Sequence, residues 1–154
     1  MTSLCCDVIH RLAGKTLVTA ESLTGGGIGG ALTGISGSSA VYKGGIISYT
    51  DEVKHRILGV PSAVLEEYGA VSEPVAGAMA EGVRKLLEAD VSVSVTGLAG
   101  PGGDEYGNPV GTVFIGYSDA SCTEVKHCLF RGDRESVRMQ TAEEALKLIL
   151  LHNP

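Results

Sequence analysis

Two short apolar runs separated by a glycine-dense segment constrain this chain more than any other feature in it. Residues 16–20 (TLVTA) read as a strand, break into Glu21, Ser22, Leu23 and Thr24, and run on into Gly25, Gly26, Gly27, Gly29 and Gly30. A second strand-like run at 44–49 (GGIISY) leads into Thr50, Asp51, Glu52, Val53 and Lys54. Small residues let a helix approach a sheet closely, so strand, glycine-rich helix and second strand point to a layered α/β fold. The same order sets a hydroxyl, a helix start rich in backbone N–H groups and a lysine near the ends of two strands. Together these could form a hydrolytic centre that needs no metal.

The remainder of the chain extends the pattern. Leu4, Cys5, Val8, Ile9 and Leu12 fall at helical spacing, with Gly14 closing that helix. The glycine cluster continues as a helix through Leu32 and Ile35, 51–58 is a short helix stopped by Gly59, and Pro61 opens another through Leu65 and Tyr68. Ser72 is an N-cap, with Glu73 and Pro74 in the first turn of a helix whose stripe is Val75, Met79, Val83, Leu86 and Leu87. Residues 91–96 (VSVSVT) alternate strictly and form the clearest strand, whereas 97–103 hold too much glycine and proline for regular structure. Runs at 111–117 and 124–130 read as an antiparallel pair, and Asp133 caps a final helix. The predicted order is α-β-α-β-α-α-α-β-β-β-α, a three-layer α/β/α sandwich with a mixed, mainly parallel central sheet.

With 154 residues and 44% apolar content, the chain has enough material for one domain spanning 1–154 with a real core. A formal charge of −6 argues against nucleic acid or an anionic membrane as the main partner, while leaving room for a small anionic ligand. The four cysteines, Cys5, Cys6, Cys122 and Cys128, show no metal-ligand spacing and read as free thiols of a reducing compartment. The opening residues lack a basic n-region and a long apolar segment, so a cytoplasmic location is expected.

Three local chemistries are legible. Gly25, Gly27 and Gly30 satisfy GxGxxG, with Asp51 near the acidic position of a dinucleotide fold; four residues nevertheless separate these glycines from the strand. Ser22, just past a strand end, reads as a nucleophile and at least equally as a helix cap, a capping role that Thr24 could equally fill. None of His10, His55, His127 and His152 sits in a hydrolase context, so Lys54 is the candidate base. In the first turn of its helix, its ammonium form would be disfavoured by the dipole and by burial, and Tyr49 could shuttle the proton. On these residues alone, the reading of Lys54 as a solvated helix residue and Tyr49 as a rim aromatic prevails. Finally, Arg131 and Arg134 at the start of the last helix suggest an anion site, or a helix-start salt bridge.

Taken in order, AESLTGG (20–26), GSS (37–39), YTDEVK (49–54), LGVP (58–61), GAVSE (69–73), TGLAGPGG (96–103), PVGTV (109–113) and GDR (132–134) resemble one family over nearly the whole chain. It is that of the nicotinamide-nucleotide amidases, also known as the C-terminal domain of the competence/damage-inducible protein CinA. The resemblance implies hydrolysis of the carboxamide of nicotinamide mononucleotide to the acid and ammonia, in pyridine-nucleotide recycling. It implies Ser22 as nucleophile, Lys54 as base and Tyr49 nearby. Thr24, Gly25, Gly26, Ser38, Ser39, Thr96, Gly97, Gly100, Gly102 and Arg134 are the implied substrate-binding positions, with the Gly25 and Gly26 amides and those of 96–103 offering an oxyanion hole. No metal or organic cofactor is implied, and the expected state is a homo-oligomer. Leu23 departs from the family, which often has Cys there. Many members also carry an N-terminal nucleotide-pyrophosphatase domain; the expectation here is a stand-alone amidase. The competing expectations are a catalytically silent nucleotide- or partner-binding module and a dinucleotide-dependent oxidoreductase.

Overall fold

A computed structural model describes all residues, 1–154. The elements are α1 (Thr2–Arg11), β1 (Leu17–Glu21), α2 (Gly27–Thr33), a 3-10 turn (Ser38–Ala40), β2 (Tyr42–Ile47), α3 (Asp51–Arg56), α4 (Ser62–Tyr68), α5 (Glu73–Leu86), β3 (Val91–Gly97), β4 (Thr112–Ser118), β5 (Thr123–Leu129) and α6 (Arg134–His152). The predicted order holds, with the 3-10 turn added. One five-stranded sheet, ordered β2-β1-β3-β4-β5, is parallel through β2, β1 and β3 and turns antiparallel at β4 and β5.

The sheet divides the core in two. Leu17, Val93, Val95, Val113 and Ile115 pack with Val8, Ile28, Leu32, Leu146 and Ile149 of α1, α2 and α6 and with Leu12 just past α1. Val18 and Ala20 pack on the other face with Leu65 of α4 and Val75, Met79 and Val83 of α5. Helices therefore cover both faces, giving the three-layer α/β/α sandwich with a mixed sheet.

Strand β3 alternates for an unexpected reason: both of its faces are buried through Thr96. Ser92 and Ser94 donate to the Ala80 and Ala76 carbonyls of α5, each at 2.6 Å. Small hydroxyls let α5 lie close against the sheet and use the second lone pairs of helix carbonyls, so no buried hydroxyl is left unpaired.

One boundary and one cap are corrected. Strand β2 starts at Tyr42 and ends at Ile47, because its partner β1 ends at Glu21, which pairs with Ile47. Ser48 and Tyr49 therefore fold over the end of the sheet. Ser72 precedes α5 as expected, but its hydroxyl donates back to the Gly69 carbonyl at 2.8 Å and makes no side-chain cap. All four cysteines are free, and no helix is long and apolar enough to cross a membrane.

Candidate active site

The carboxyl ends of parallel strands are where open α/β sheets place their sites, and both principal residues arrive there. Alternation along β1 sends Leu17, Thr19 and Glu21 to the α2 face and Val18, Ala20 and then Ser22 to the α5 face. Ser22 keeps the register for one more residue, its N–H donating to Val95 O at 3.1 Å. The chain then turns at Gly25 (φ +59°) and Gly26 (φ +99°), left-handed conformations that favour glycine. From the adjacent strand, Ser48 N–H donates to Glu21 O at 2.8 Å, and Thr50 caps α3 through Val53 N–H at 3.3 Å. That turn drops Lys54 into the interior, 2% exposed.

Lys54 Nζ lies 3.1 Å from Ser22 Oγ and 2.8 Å from the Ser48 carbonyl. Burial pushes its pKa down to about 8, against the opposing attraction of Asp51. Desolvation is the main cause of the lowering, the second of the two causes invoked from sequence. A hydroxyl beside an amine that is partly neutral near pH 8 is the arrangement that a serine nucleophile and its base require.

The dyad forms the floor of a cleft of about 290 Å³, walled by Leu23, Ala70, Val71 and the 97–100 loop, with Asp51, Tyr49, Gly102 and Arg134 also lining it. Arg134 bridges the mouth, donating to Gly100 O at 2.7 Å and to the Tyr49 hydroxyl at 3.2 Å. Tyr49 is 59% exposed and hydrogen-bonds to neither Ser22 nor Lys54. Its place is on the rim, as a partner of Arg134.

Several expected binding residues lie elsewhere. Thr24 is buried and donates to Glu21 Oε1 at 2.6 Å, so its hydroxyl turns away from the cleft. Gly25 N–H is committed to Ser22 O at 3.0 Å and is not a free oxyanion donor, while the N–H groups of Leu23, Ala99 and Gly100, which line the cleft, have no acceptor within the protein. Gly26 flanks the turn without lining the cleft, and a Cβ there would meet Ile47 Cδ1 at 3.2 Å. Thr96 Oγ1 is spent on Ala70 O at 2.8 Å, joining two walls of the cleft, and Gly97 packs against Val113 while lining it. Ser38 and Ser39 sit before β2, at the amino end of the sheet, because the residues preceding a parallel strand enter at the edge opposite the site. At α6 the Asp133 carboxylate accepts from Ser136 N–H at 2.9 Å, filling the expected anion position, and only Arg134 of the two arginines faces the cleft.

Sequence reasoning missed two residues. Glu21, 2% exposed, accepts from Ile28 N–H (2.9 Å) and Thr24 Oγ1 on one oxygen, and from Gly29 N–H (3.0 Å) and Thr19 Oγ1 (3.2 Å) on the other. Its carboxylate occupies the helix start where a pyrophosphate would bind, which removes the dinucleotide-fold reading. Arg138 donates to the Leu23 and Thr24 carbonyls at 2.9 and 3.3 Å. The available signal for both was an acid directly before Ser22 and an arginine one turn beyond Arg134.

The profile of the CinA C-terminal domain matches residues 3–152. A CinA-like protein of Anaeromyxobacter dehalogenans is 46% identical over 146 residues, covering 94% of this chain and 36% of the relative. One from Synechococcus is 55% identical over 111 residues, covering 70% of this chain and 26% of the relative. The chain thus spans about a third or less of the length of these curated relatives. Among solved structures, a competence or damage-inducible protein from Enterobacter asburiae superposes with a TM-score of 0.97 at 34% identity, covering 99% of this chain and 98% of that one. A CinA superfamily protein from Escherichia coli gives 0.95 at 37% identity, covering 97% and 88%. The chain belongs to the CinA C-terminal domain family.

Proposed function

We propose that this member of the CinA C-terminal domain family is a serine amidase that hydrolyses the carboxamide of nicotinamide mononucleotide to the carboxylate and ammonia. The observation that carries the reading is the buried Lys54 amine 3.1 Å from Ser22 Oγ at the floor of the cleft. Lys54 in its neutral form takes the Ser22 proton as Oγ attacks the carboxamide carbon. The tetrahedral oxyanion is held by free N–H groups, for which Leu23, Ala99 and Gly100 are the available donors. Lys54 then passes its proton to the leaving nitrogen, ammonia departs, and the serine ester is cleaved by water under the same base.

The apolar wall of Leu23, Ala70 and Val71 suits a flat heteroaromatic ring, and Arg134 at the mouth suits the phosphate. Arg134 already holds two neutral acceptors, which a phosphate outcompetes by charge. Ammonia release from nicotinamide mononucleotide, compared with the nucleoside lacking its phosphate, tests the reading. Arg134→Ala is expected to raise KM for the nucleotide about tenfold with kcat little changed, since a hydrogen bond to a charged group contributes roughly 1.5–3 kcal/mol. The same substitution should leave the nucleoside unaffected. Equal KM changes for both substrates would detach Arg134 from the phosphate.

A further inference from the structure

Glu21 and Lys54 are the only two acidic or basic side chains fully withdrawn from solvent, and they flank Ser22 from opposite faces of the sheet. Lys54 has a chemical task in the reaction above, and Glu21 has none. Nor does Glu21 form an ion pair: its four partners are two backbone N–H groups and two hydroxyls. A carboxylate accepting four donors at one point holds the start of α2 and Thr24 in fixed register with the end of β1. The carbonyls of the intervening turn, at Leu23 and Thr24, are held from outside by the Arg138 guanidinium.

We infer that Glu21 is a positioning residue for Ser22, acting with Arg138 as a two-sided clamp on the 22–25 turn. The inference rests on the reading of Ser22 as the nucleophile. The clamp holds the turn from both ends. Glu21 accepts from the Thr24 hydroxyl and from the α2 N–H groups just past the turn, Arg138 donates to the Leu23 and Thr24 carbonyls, and the Leu23 and Thr24 N–H groups beside Ser22 have no acceptor within the protein. The backbone of Glu21 also reaches the base, because its carbonyl accepts from Ser48 N–H and the Ser48 carbonyl accepts from Lys54 Nζ. Ser22 and Lys54 are thus referenced to one residue.

Glu21→Gln is the informative change because it is nearly isosteric. Each carboxylate oxygen faces one backbone N–H, which cannot reverse its polarity as a hydroxyl can. Whichever way the amide turns, its NH₂ meets either Ile28 N–H or Gly29 N–H, and the start of α2 must shift. Displacements on the scale of an ångström near a nucleophile cost up to about a hundredfold in rate.

The test is sulfonylation of Ser22 by phenylmethylsulfonyl fluoride, followed by intact mass as a function of pH. The Oγ–S bond forms, fluoride leaves, and Lys54 takes the hydroxyl proton, so the readout needs no assumption about the amide substrate. In the wild type the rate should climb to a plateau with a midpoint at about 8. Glu21→Gln is expected to lower the plateau tenfold or more with the midpoint unmoved. Arg138→Met, on a more exposed side chain, should lower it about threefold, and carries the test if Glu21→Gln does not fold. Folded variants that both label at the wild-type plateau overturn the inference. So does a midpoint moved upward in Glu21→Gln, which would mean general loosening that hydrates Lys54. A wild type that does not label at all removes Ser22 as nucleophile, and the clamp's purpose with it.

Discussion

Ser22→Ala is expected to cut ammonia release about ten-thousand-fold or more while leaving the fold and nucleotide binding in place. The magnitude follows from what a nucleophile does: removing it takes away the covalent route, and only binding and oxyanion stabilisation remain. The fold should tolerate the change because Ser22 ends a strand whose register is kept by its backbone N–H to Val95 O. The lost hydroxyl accepts one hydrogen bond, from Lys54, which retains the Ser48 carbonyl. Circular dichroism and titration with nicotinamide mononucleotide check the second half of the expectation. This variant separates an amidase from a silent binding module, because a module loses nothing with the hydroxyl and has no turnover to lose.

Lys54→Met is expected to abolish turnover and, at the same time, to stabilise the protein below pH 8. The activity loss should be at least the hundred- to ten-thousand-fold typical of a general base. The stability gain comes from the buried charge. The pKa falls from an ordinary 10.5 in the unfolded chain to about 8 in the native state, so the native state binds fewer protons than the unfolded one between those values. Wild-type stability therefore rises with pH across that window, and below it the protein carries a penalty of about 3 kcal/mol. Methionine fills the same space without charge, at a cost of about 1 kcal/mol for the hydrogen bond lost to Ser48. The net gain of about 2 kcal/mol at pH 7 should appear as a melting temperature higher by roughly 4–8 °C. Urea unfolding at pH 7 and pH 10 is the check: the advantage should shrink or vanish at the higher pH. An advantage that grows with pH would contradict a depressed Lys54.

The scaffold was legible because its elements carry strong periods. The α5 stripe and the 91–96 alternation mark elements whose existence depends on side-chain spacing alone. The dyad was legible only as a pair of residue types at two strand ends, and its 3.1 Å contact depends on β1 and β2 being neighbours in the sheet. Ser38 and Ser39 were misplaced through the resemblance, although strand direction argues against them: in a parallel crossover the residues before a strand enter at the far edge. Glu21 was not legible because an acid at a strand end reads as solvated. Its backbone donors are N–H groups seven and eight residues onward, well beyond the reach of ordinary capping. For Lys54 the direction of the shift was legible, and burial, named second to the dipole, is its largest cause, because the depth of a residue cannot be gauged from its own helix alone.

The most direct measurement is ammonia release from nicotinamide mononucleotide by the wild type across pH 6 to 10, with the acid product quantified alongside. The expected result is one ammonia per acid, with kcat/KM rising about tenfold per pH unit at low pH and levelling through a midpoint at about 8, as a neutral Lys54 requires. A folded protein that releases no ammonia, or whose rate falls as pH rises through 8, would contradict a serine amidase driven by Lys54.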